Sequence, residues 1–424
     1  MWTIGLIVAA LVIYLGYWLN KWSNPKCNGV LPPGSMGLPL IGETLQLIVP
    51  SYSLDLHPFI KKKAQKYGPI FRTSVAGSPI VLSIDPEFNH YIVKQEGRLV
   101  EVWYMDSFAK LFNMEGENKI NVIGVVHKYF RSIILNHCGA DPLKENLLPQ
   151  IEEFVNKTLQ TWSSHPLVEM KHAASVDQNE ALSMLRKILK DRINSTERHY
   201  EDLLDQAIND MDKEKFLSED LIINVVFAML FASFESISAA LSLTLNLVAE
   251  HPTVLQELTD EHEAILKNRE SPNSTLTWDE YKSMTFTHQV INEVLRLGSV
   301  APGLLRKALK DIEFKGYTIP AGWNIMLVNS AIQLNPNTYK DPLAFNPWRW
   351  KDLDSLFVSK NFMPFGGGIR QCAGAEYSKT FLATFLHVLV TKYRWTKVKG
   401  GTNVRNPVLG FTDGLHIKFS AISN

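Results

Sequence analysis

Residues 365–374 read Phe-Gly-Gly-Gly-Ile-Arg-Gln-Cys-Ala-Gly, and no other part of the chain is as informative. Consecutive glycines let a backbone turn tightly and come close to a flat ligand. Helical periodicity over 373–392 places Cys372 where a helix begins. The free amides and the positive dipole end of a helix start both stabilise a thiolate. We therefore predict that Cys372 binds a metal as a thiolate. A glycine-rich turn with a buried structural cysteine is the alternative.

The same residues fit the pattern Phe-x-x-Gly-x-Arg-x-Cys-x-Gly, which resembles the haem-loop signature of cytochromes P-450. The resemblance implies haem b as cofactor, with Cys372 as the sulfur ligand of the iron and Phe365, Gly368, Arg370 and Gly374 around it. A thiolate ligand pushes electron density onto haem iron and favours cleavage of the O–O bond. Arg370 has the forked donors that suit a carboxylate such as a haem propionate.

Two further motifs follow the order found in that family. Residues 293–296 read Glu-Val-Leu-Arg and resemble its Glu-x-x-Arg pair, while residues 347–350, Pro-Trp-Arg-Trp, resemble the segment whose arginine joins the pair. The i, i+3 spacing puts Glu293 and Arg296 on one helix face, which alone is commonly just a solvated ion pair. The resemblance implies a buried structural lock of Glu293, Arg296 and Arg349 that holds the haem core.

The apolar run 221–249 contains a single charged residue, Glu235, followed by Ser236. A second transmembrane helix, or a core helix with an odd acid, would also explain the run. A lone buried carboxylate is costly unless it is protonated or hydrogen-bonded. Residues 232–236 resemble the acid–alcohol pair of the helix over the haem, with Ser233 where glycine is usual and Ser236 where threonine is usual. The resemblance implies that Glu235 and Ser236 are catalytic and relay protons through water to the dioxygen substrate.

Three further basic residues are candidates for binding the haem propionates. Residues 127–131, His-Lys-Tyr-Phe-Arg, resemble the family's Trp-x-x-x-Arg with histidine in place of tryptophan. His127 and Arg131 are spaced i, i+4 and so share one helix face. A basic surface face is the alternative. Arg306, soon after a Pro-Gly pair, resembles a propionate-binding arginine of plant relatives.

The resemblance extends over nearly the whole chain and favours plant members that oxidise sterols and triterpenoids, in particular cucurbit enzymes that oxidise cucurbitadienol near carbon 11. It implies a hydrophobic substrate pocket that includes Phe231, Ala232, Val300 and Ala301. One fold hosts many functions, so the substrate is an analogy. The motifs concerned are residues 31–34, 231–236, 347–350 and 374–378.

The junction of Val176 with Asp177 departs from those relatives, which have a longer segment there. The missing part would include most of one core helix and the helix that roofs the substrate pocket. A splice form, a gene-model error or a degenerate paralogue would each explain it. We expect weakened substrate binding, while the haem motifs are untouched.

Composition limits the other possibilities. The 424 residues carry 43 basic and 43 acidic side chains, so no basic excess points to nucleic acid. Hydrophobic residues make up 46% of the chain, which predicts a packed globule. Three cysteines are too few for a disulfide framework and fit a reducing compartment.

The N-terminus predicts a membrane anchor. Residues 2–19 contain no charge and are just long enough to cross a bilayer. Lys21 and Lys26 follow, which favours a cytosolic catalytic domain. A cleaved signal peptide is the alternative, but no basic residue precedes the run. Residues 21–45 are rich in proline and predict a stiff linker.

The periodicities predict a mostly α, α+β architecture, the cytochrome P-450 fold with small β-sheets. We divide the chain into a membrane anchor (1–20), a proline-rich linker (21–45) and a haem-binding catalytic domain (46–424). Helices are predicted at 54–67, 122–136, 143–162, 177–192, 199–213, 217–250, 252–268, 277–297 and 373–392. Strands are predicted at 69–75, 78–83, 312–318, 324–328 and 414–420.

Taken with the resemblance, these features predict a haem–thiolate monooxygenase on the endoplasmic reticulum membrane. It would use dioxygen and electrons from NADPH, delivered by the flavoprotein NADPH–cytochrome P-450 reductase. The chemistry at iron belongs to the cofactor, while the protein supplies the thiolate, the pocket and the proton path. A reductase-independent haem–thiolate isomerase and a shortened, poorly active or non-catalytic isoform are the alternatives.

Overall fold

A computed structural model describes residues 2–103, 122–170, 178–194, 202–269, 271, 274–406 and 408–422. Helices dominate this part of the chain, as the periodicity predicts. Two π-helical turns (Val122–Val126 and Leu143–Leu147) and two 3₁₀ turns (Pro347–Trp350 and Gly368–Arg370) accompany them. In chain order the α-helices are α1 (Trp2–Ser23), α2 (Thr44–Leu47), α3 (Pro58–Tyr67), α4 (Pro86–Val93), α5 (His127–Cys138), α6 (Ala140–Pro142), α7 (Leu148–Ser164), α8 (Gln178–Asn194), α9 (Leu203–Asp210), α10 (Glu219–Ala249), α11 (Pro252–Lys267), α12 (Trp278–Ser283), α13 (Thr285–Gly298), α14 (Asn329–Gln333), α15 (Ser355–Asn361) and α16 (Ala375–Lys392).

Within the described ranges the strands form three small sheets. A five-stranded sheet has the order β1-β2-β8-β5-β3, in which β2 and β8 run parallel and the other pairs antiparallel. A three-stranded sheet has the order β4-β10-β9, and β6 pairs with β7. The strands are β1 (Ile70–Val75), β2 (Ser78–Ser83), β3 (Val100–Val102), β4 (Val168–Glu169), β5 (Leu304–Ala308), β6 (Ile312–Phe314), β7 (Tyr317–Ile319), β8 (Asn324–Leu327), β9 (Tyr393–Arg405) and β10 (Leu409–Ala421).

The main hydrophobic core lies where α7, α10, α11, α13 and α16 meet. A helix that is apolar on every side must be buried on every side. Residues 382–390 of α16 obey this rule and are all buried. The second half of α10, residues 239–248, is likewise buried throughout. These two helices therefore form the interior of the helical layer, and α16 starts just after Cys372.

The first half of α10 behaves differently. Leu230, Phe231 and Phe234 are exposed, although they belong to the same apolar run. Within the described ranges, α10 is the one helix that is long and apolar enough to cross a membrane by length and composition. Burial of its second half in the core identifies that half as a core segment, because core helices pass the same test.

The proline-rich stretch lies against the five-stranded sheet. Met36 is buried in the core beneath that sheet, and Gly34 forms a bridge with Arg72 of β1. The carboxylate of Glu43 is buried, accepts a hydrogen bond from Ser35 Oγ at 2.8 Å and pairs with Lys63 of α3. Through these contacts the proline-rich segment packs against the five-stranded sheet and α3. The division of the chain into anchor, linker and catalytic domain stays a prediction.

Several predicted boundaries are wrong for identifiable reasons. The helix predicted at 277–297 is two helices, because Met284 has φ −70° and ψ 62° between α12 and α13. The strand predicted at 312–318 is the hairpin β6–β7, which turns at Lys315 and Gly316 with φ of 49° and 81°. Strand β9 was not predicted, because its lysines and glycines give no hydrophobic alternation. The junction after Val176 lies outside the described residues.

Candidate active site around Cys372

The loop before α16 is built by glycines at positions where side chains would not fit. Gly366 and Gly368 have φ of 72° and 67°, a region that glycine adopts without strain. A Cβ at Gly368 would lie only 2.1 Å from the carbonyl oxygen of Val93. The backbone amide of Cys372 donates to the carbonyl of Phe365 at 3.0 Å and closes the loop. The glycines thus allow a tight turn that presents Cys372.

The surroundings of Cys372 act in opposite directions on the pKa of its thiol. Burial raises the pKa of the thiol, whereas a hydrogen bond from the amide of Gly374 and the charge of Arg131 lower it. The residue as a whole is nevertheless exposed. Helix α16 begins at Ala375, two residues later than predicted. A backbone amide that stabilises the thiolate is therefore present, as predicted for the start of a helix. The effect of burial is larger, however, so the pKa of the Cys372 thiol is raised.

His127 and Arg131, at the start of α5, both lie close to this loop. The guanidinium of Arg131 donates to the carbonyl of Gln371. Burial, followed by the charges of Arg370 and Arg131, lowers the pKa of His127 to about 4. A pKa this low favours the neutral imidazole at pH 7, and the assignment of His127 to propionate binding stays a prediction. The cation of this pair is Arg131.

Arg370 and Arg306 meet at a carboxylate that the sequence analysis missed. The Nε of Arg370 donates to Glu96 Oε1 at 3.0 Å, and the Nε of Arg306 lies 3.0 Å from Glu96 Oε2. All three side chains are largely buried. Glu96 follows α4 and precedes Gly97 in a turn. Only the turn is visible in the sequence, because nothing local connects Glu96 to an arginine 274 positions away.

The structure brings the three predicted lock residues together. Arg296 donates from Nε and Nη2 to the two oxygens of Glu293, both at 2.8 Å. Arg349 Nε donates to Glu293 Oε1 at 2.9 Å, and Trp350 Nε1 donates to Oε2 at 2.9 Å. Glu293 and Arg296 are fully buried, so the solvated-pair alternative does not apply. The guanidinium of Arg296 also donates to the carbonyls of Gln333 and Pro342.

The predicted proton-relay residues lie in the exposed half of α10. The hydroxyl of Ser236 donates to the carbonyl of Ala232 at 2.7 Å, and that of Ser233 donates to the carbonyl of Leu230 at 3.0 Å. Glu235 is partly buried. Because the Ser236 proton is directed along the helix, its oxygen lone pairs remain able to accept from a water or substrate donor.

The four residues predicted for the substrate pocket come from two places. Phe231 and Ala232 are exposed on α10, and the ring of Phe231 stacks on that of Phe227 with centroids 6.4 Å apart. Val300 and Ala301 lie in the loop between α13 and β5. The start of that loop is fixed by Arg405, which donates to the carbonyls of Leu297, Gly298 and Ser299.

Comparison with protein families identifies the family that the motifs around Cys372 resemble. The family model of cytochrome P450 matches residues 32–172 and 161–412, well over half of the chain. The chain is a cytochrome P450. Curated relatives of this P450 include cucurbitadienol 11-hydroxylase from Siraitia grosvenorii, 51% identical with 99% of each chain covered. Beta-amyrin 16-alpha-hydroxylase from Maesa lanceolata is 48% identical, again with 99% of each chain covered.

A solved structure confirms the fold. The retinoic acid-bound cyanobacterial CYP120A1 superposes with a TM-score of 0.78 and is 24% identical. The match covers 93% of this chain and 100% of that one. The predicted helical P450 fold with small β-sheets is therefore correct.

The alignments also bear on the junction after Val176. The alignment with cucurbitadienol 11-hydroxylase has 471 positions against 424 residues in this chain, so at least 47 positions are gaps here. The family match divides into two overlapping segments, and the first ends at residue 172. The chain is thus shorter than its relatives, and the division of the match lies close to the predicted position.

P450s carry haem iron, and the residues around Cys372 fit such a group. In a P450 a cysteine thiolate would hold the haem iron, and cations would bind the two haem propionates. The loop supplies the thiol, and the glycines keep Cβ atoms out of its tight turn. Arg131, Arg306 and Arg370 would supply the cations. We call these three side chains the arginine cluster.

Proposed function

We propose that this P450 is a monooxygenase that hydroxylates a hydrophobic plant triterpenoid or sterol of the cucurbitadienol type. The observation that carries the proposal is the glycine-built loop that presents Cys372 beside the arginine cluster, in a chain 51% identical to a cucurbitadienol 11-hydroxylase. The two relatives are a cucurbitadienol 11-hydroxylase and a beta-amyrin 16-alpha-hydroxylase, which supports both the reaction and the substrate class.

We assign the following roles to the residues of this chain. Cys372 supplies the thiolate ligand of the haem iron, which activates dioxygen when the cofactor is bound. The amide of Gly374 stabilises the thiolate through the hydrogen bond described above. Arg131 and the rest of the arginine cluster hold the propionates by charge-assisted hydrogen bonds. Glu235 and Ser236 deliver protons through water on the α10 side.

Electrons come in this proposal from NADPH through a flavoprotein, NADPH–cytochrome P450 reductase. The protein lies at the endoplasmic reticulum membrane, with α1 as the anchor and the catalytic domain in the cytosol. Exposed apolar side chains along α1, among them Leu6, Ile7 and Ile13, support that position. An unsupported helix with this surface is stable only in lipid or detergent.

The deciding experiment is a reduced carbon monoxide difference spectrum of purified wild type and Cys372→Ser. Wild type should show the long-wavelength Soret band of a thiolate complex, and Cys372→Ser should lose it. Cys138→Ser, which changes a cysteine outside the loop, is the matched control and should keep the band. A variant at Cys372 that kept the band would show that another residue ligates iron.

A shortened, weakly active isoform is a second candidate, because at least 47 alignment positions are gaps in this chain. It predicts a normal thiolate spectrum with little product. The measurement is product formation from cucurbitadienol in the presence of reductase. An active hydroxylase should form product, and a weakly active isoform should form little.

A further inference from the structure

Glu96 lies between Arg306 and Arg370 of the arginine cluster and the polypeptide backbone of β3. Its side chain is only 3% exposed. Oε1 accepts hydrogen bonds from the backbone amide of Val102 at 3.1 Å and from Arg370 Nε at 3.0 Å. Oε2 lies 3.0 Å from Arg306 Nε. One buried carboxylate therefore accepts a hydrogen bond from Arg370 Nε and forms an ion pair with Arg306 Nε, two guanidiniums that belong to different elements.

The pairing is specific in its topology. Arg306 lies on β5, which pairs with β3 so that Arg306 is opposite Val102. Arg370 lies in the 3₁₀ turn just before Cys372. Glu96 thus links the loop that carries the sulfur to the edge of the five-stranded sheet. A shift of either element would break an ion pair buried from solvent, which is costly.

Glu96 also sets the local charge. Arg306 and Arg370 contribute two positive charges, and Glu96 removes one of them. At an effective dielectric constant of about 20, a unit charge roughly 10 Å away changes an equilibrium by on the order of tenfold. The oxidised and reduced forms of haem iron differ by one charge, so this carboxylate favours the oxidised form.

We propose that Glu96 is a positioning residue for the haem, which orients Arg306 and Arg370 towards the propionates and lowers the reduction potential of the iron. The proposal rests on the haem site at Cys372 proposed above. Glu96 acts through the two arginines and is not itself a catalytic residue.

The test compares Glu96→Gln, Glu96→Asp and the matched control Glu101→Gln. Glu101 lies on β3 opposite Lys307 and is outside the Arg306–Glu96–Arg370 link. We expect Glu96→Gln to raise the ferrous-to-ferric ratio at a fixed applied potential about tenfold, a positive shift of about 59 mV for one electron. Glu96→Asp keeps the charge and should shift the ratio much less, and Glu101→Gln should stay near wild type. Anaerobic redox titration followed in the Soret region measures all three.

Transfer of haem to apomyoglobin gives a second readout. Glu96→Gln should lose haem several times faster than Glu101→Gln, because its two arginines are no longer fixed. Equal potentials and equal haem-loss rates for Glu96→Gln and Glu101→Gln would overturn the role of Glu96. The carbon monoxide band should persist in all three variants. Its absence from wild type would instead overturn the Cys372 site, so the two failures are distinguishable.

Discussion

At the residue scale, the site depends on a few buried ionic contacts whose partners are far apart in the chain. Glu293 receives hydrogen bonds from Arg296, Arg349, Trp350 and the amide of Asn346, so both carboxylate oxygens are fully used. A buried carboxylate with this many donors is stabilised, whereas the arginines would be left with uncompensated charge if it were removed. The lock is therefore sensitive to any change at Glu293.

We predict that Glu293→Gln lowers the free energy of unfolding by about 3–5 kcal/mol, the usual cost of removing one partner of a buried ion pair. The measurement is urea unfolding of the protein in detergent. Glu257→Gln is the control, because exposed Glu257 accepts one hydrogen bond from Trp348 and should cost under about 1 kcal/mol. A loss at Glu293 no larger than the control would contradict a structural lock.

A second prediction concerns protons on the α10 side. Glu235→Gln and Ser236→Ala should keep the thiolate spectrum and lower product formed per NADPH consumed, with more peroxide released. Loss of a general acid or base costs roughly 10²–10⁴-fold in the step it serves. Ser238→Ala is the matched control, since Ser238 is also bonded to a helix carbonyl, that of Glu235. If Glu235→Gln and Ser236→Ala formed as much product per NADPH as wild type, the two residues would have no role in proton delivery.

At the element scale, α11 and α16 are joined by two buried histidines. His262 Nδ1 and His387 Nδ1 are 3.0 Å apart, and His262 Nε2 lies 2.9 Å from Thr287 Oγ1. Burial, then the charges of Arg269 and Lys392, lowers the pKa of His387 to about 3. Burial and then His387 lower the pKa of His262 well below its ordinary value. The α11–α16 contact requires both rings neutral.

We predict that this contact makes the protein acid-sensitive. Because the folded pKa of His387 is below the unfolded value of about 6.5, its stability contribution is complete above pH 6.5 and is lost as pH falls towards 3. The loss approaches about 1.4 kcal/mol per pH unit for each such histidine. Unfolding free energies at pH 7.5 and 5.5 should differ less in His387→Gln than in wild type. Equal slopes for the two proteins would contradict the prediction.

The elements also show what sequence periodicity can and cannot provide. Strands β1 and β2 and helices α10, α11 and α16 were predicted within a few residues, because each has a strong apolar pattern over its length. Strand β3 and helix α4 were missed, since each is short. Glu96 lies between α4 and β3, and the pairing of β3 with β5 brings Arg306 to it. The motif residues were predicted because family motifs are local, whereas Glu96 has no local signature.

At the scale of the whole molecule, the chain combines a complete haem-site motif set with a shortened middle. Leu230, Phe231 and Phe234 of α10 are exposed, and at least 47 alignment positions are gaps in this chain. We propose that in the relatives the additional segment covers this face of α10. A tetracyclic substrate is held mainly by apolar contacts. We therefore expect that an absent covering segment affects the substrate before it affects the cofactor.

We predict that inserting the corresponding segment of cucurbitadienol 11-hydroxylase after Val176 tightens triterpenoid binding at least tenfold. Covering about 200 Å² of apolar ligand surface is worth up to about 5 kcal/mol, of which only part appears as affinity. Titration with cucurbitadienol, followed by the spin-state change of the haem, gives both dissociation constants. A Gly/Ser insert of equal length is the control. Equal affinities for all three chains would show that the short chain already encloses its ligand.

The parallel pairing of β2 with β8 has a consequence for synthesis. Ser83 ends β2 and Asn324 begins β8, so roughly 240 residues separate the two strands. At about 5–20 residues per second, a ribosome needs roughly 12–50 s to make that stretch. Throughout this interval the β8-facing edge of β2 has no native partner. An unpaired strand edge is a template for pairing with other chains, so we expect the newborn chain to be at risk of misassembly until its last quarter has been made.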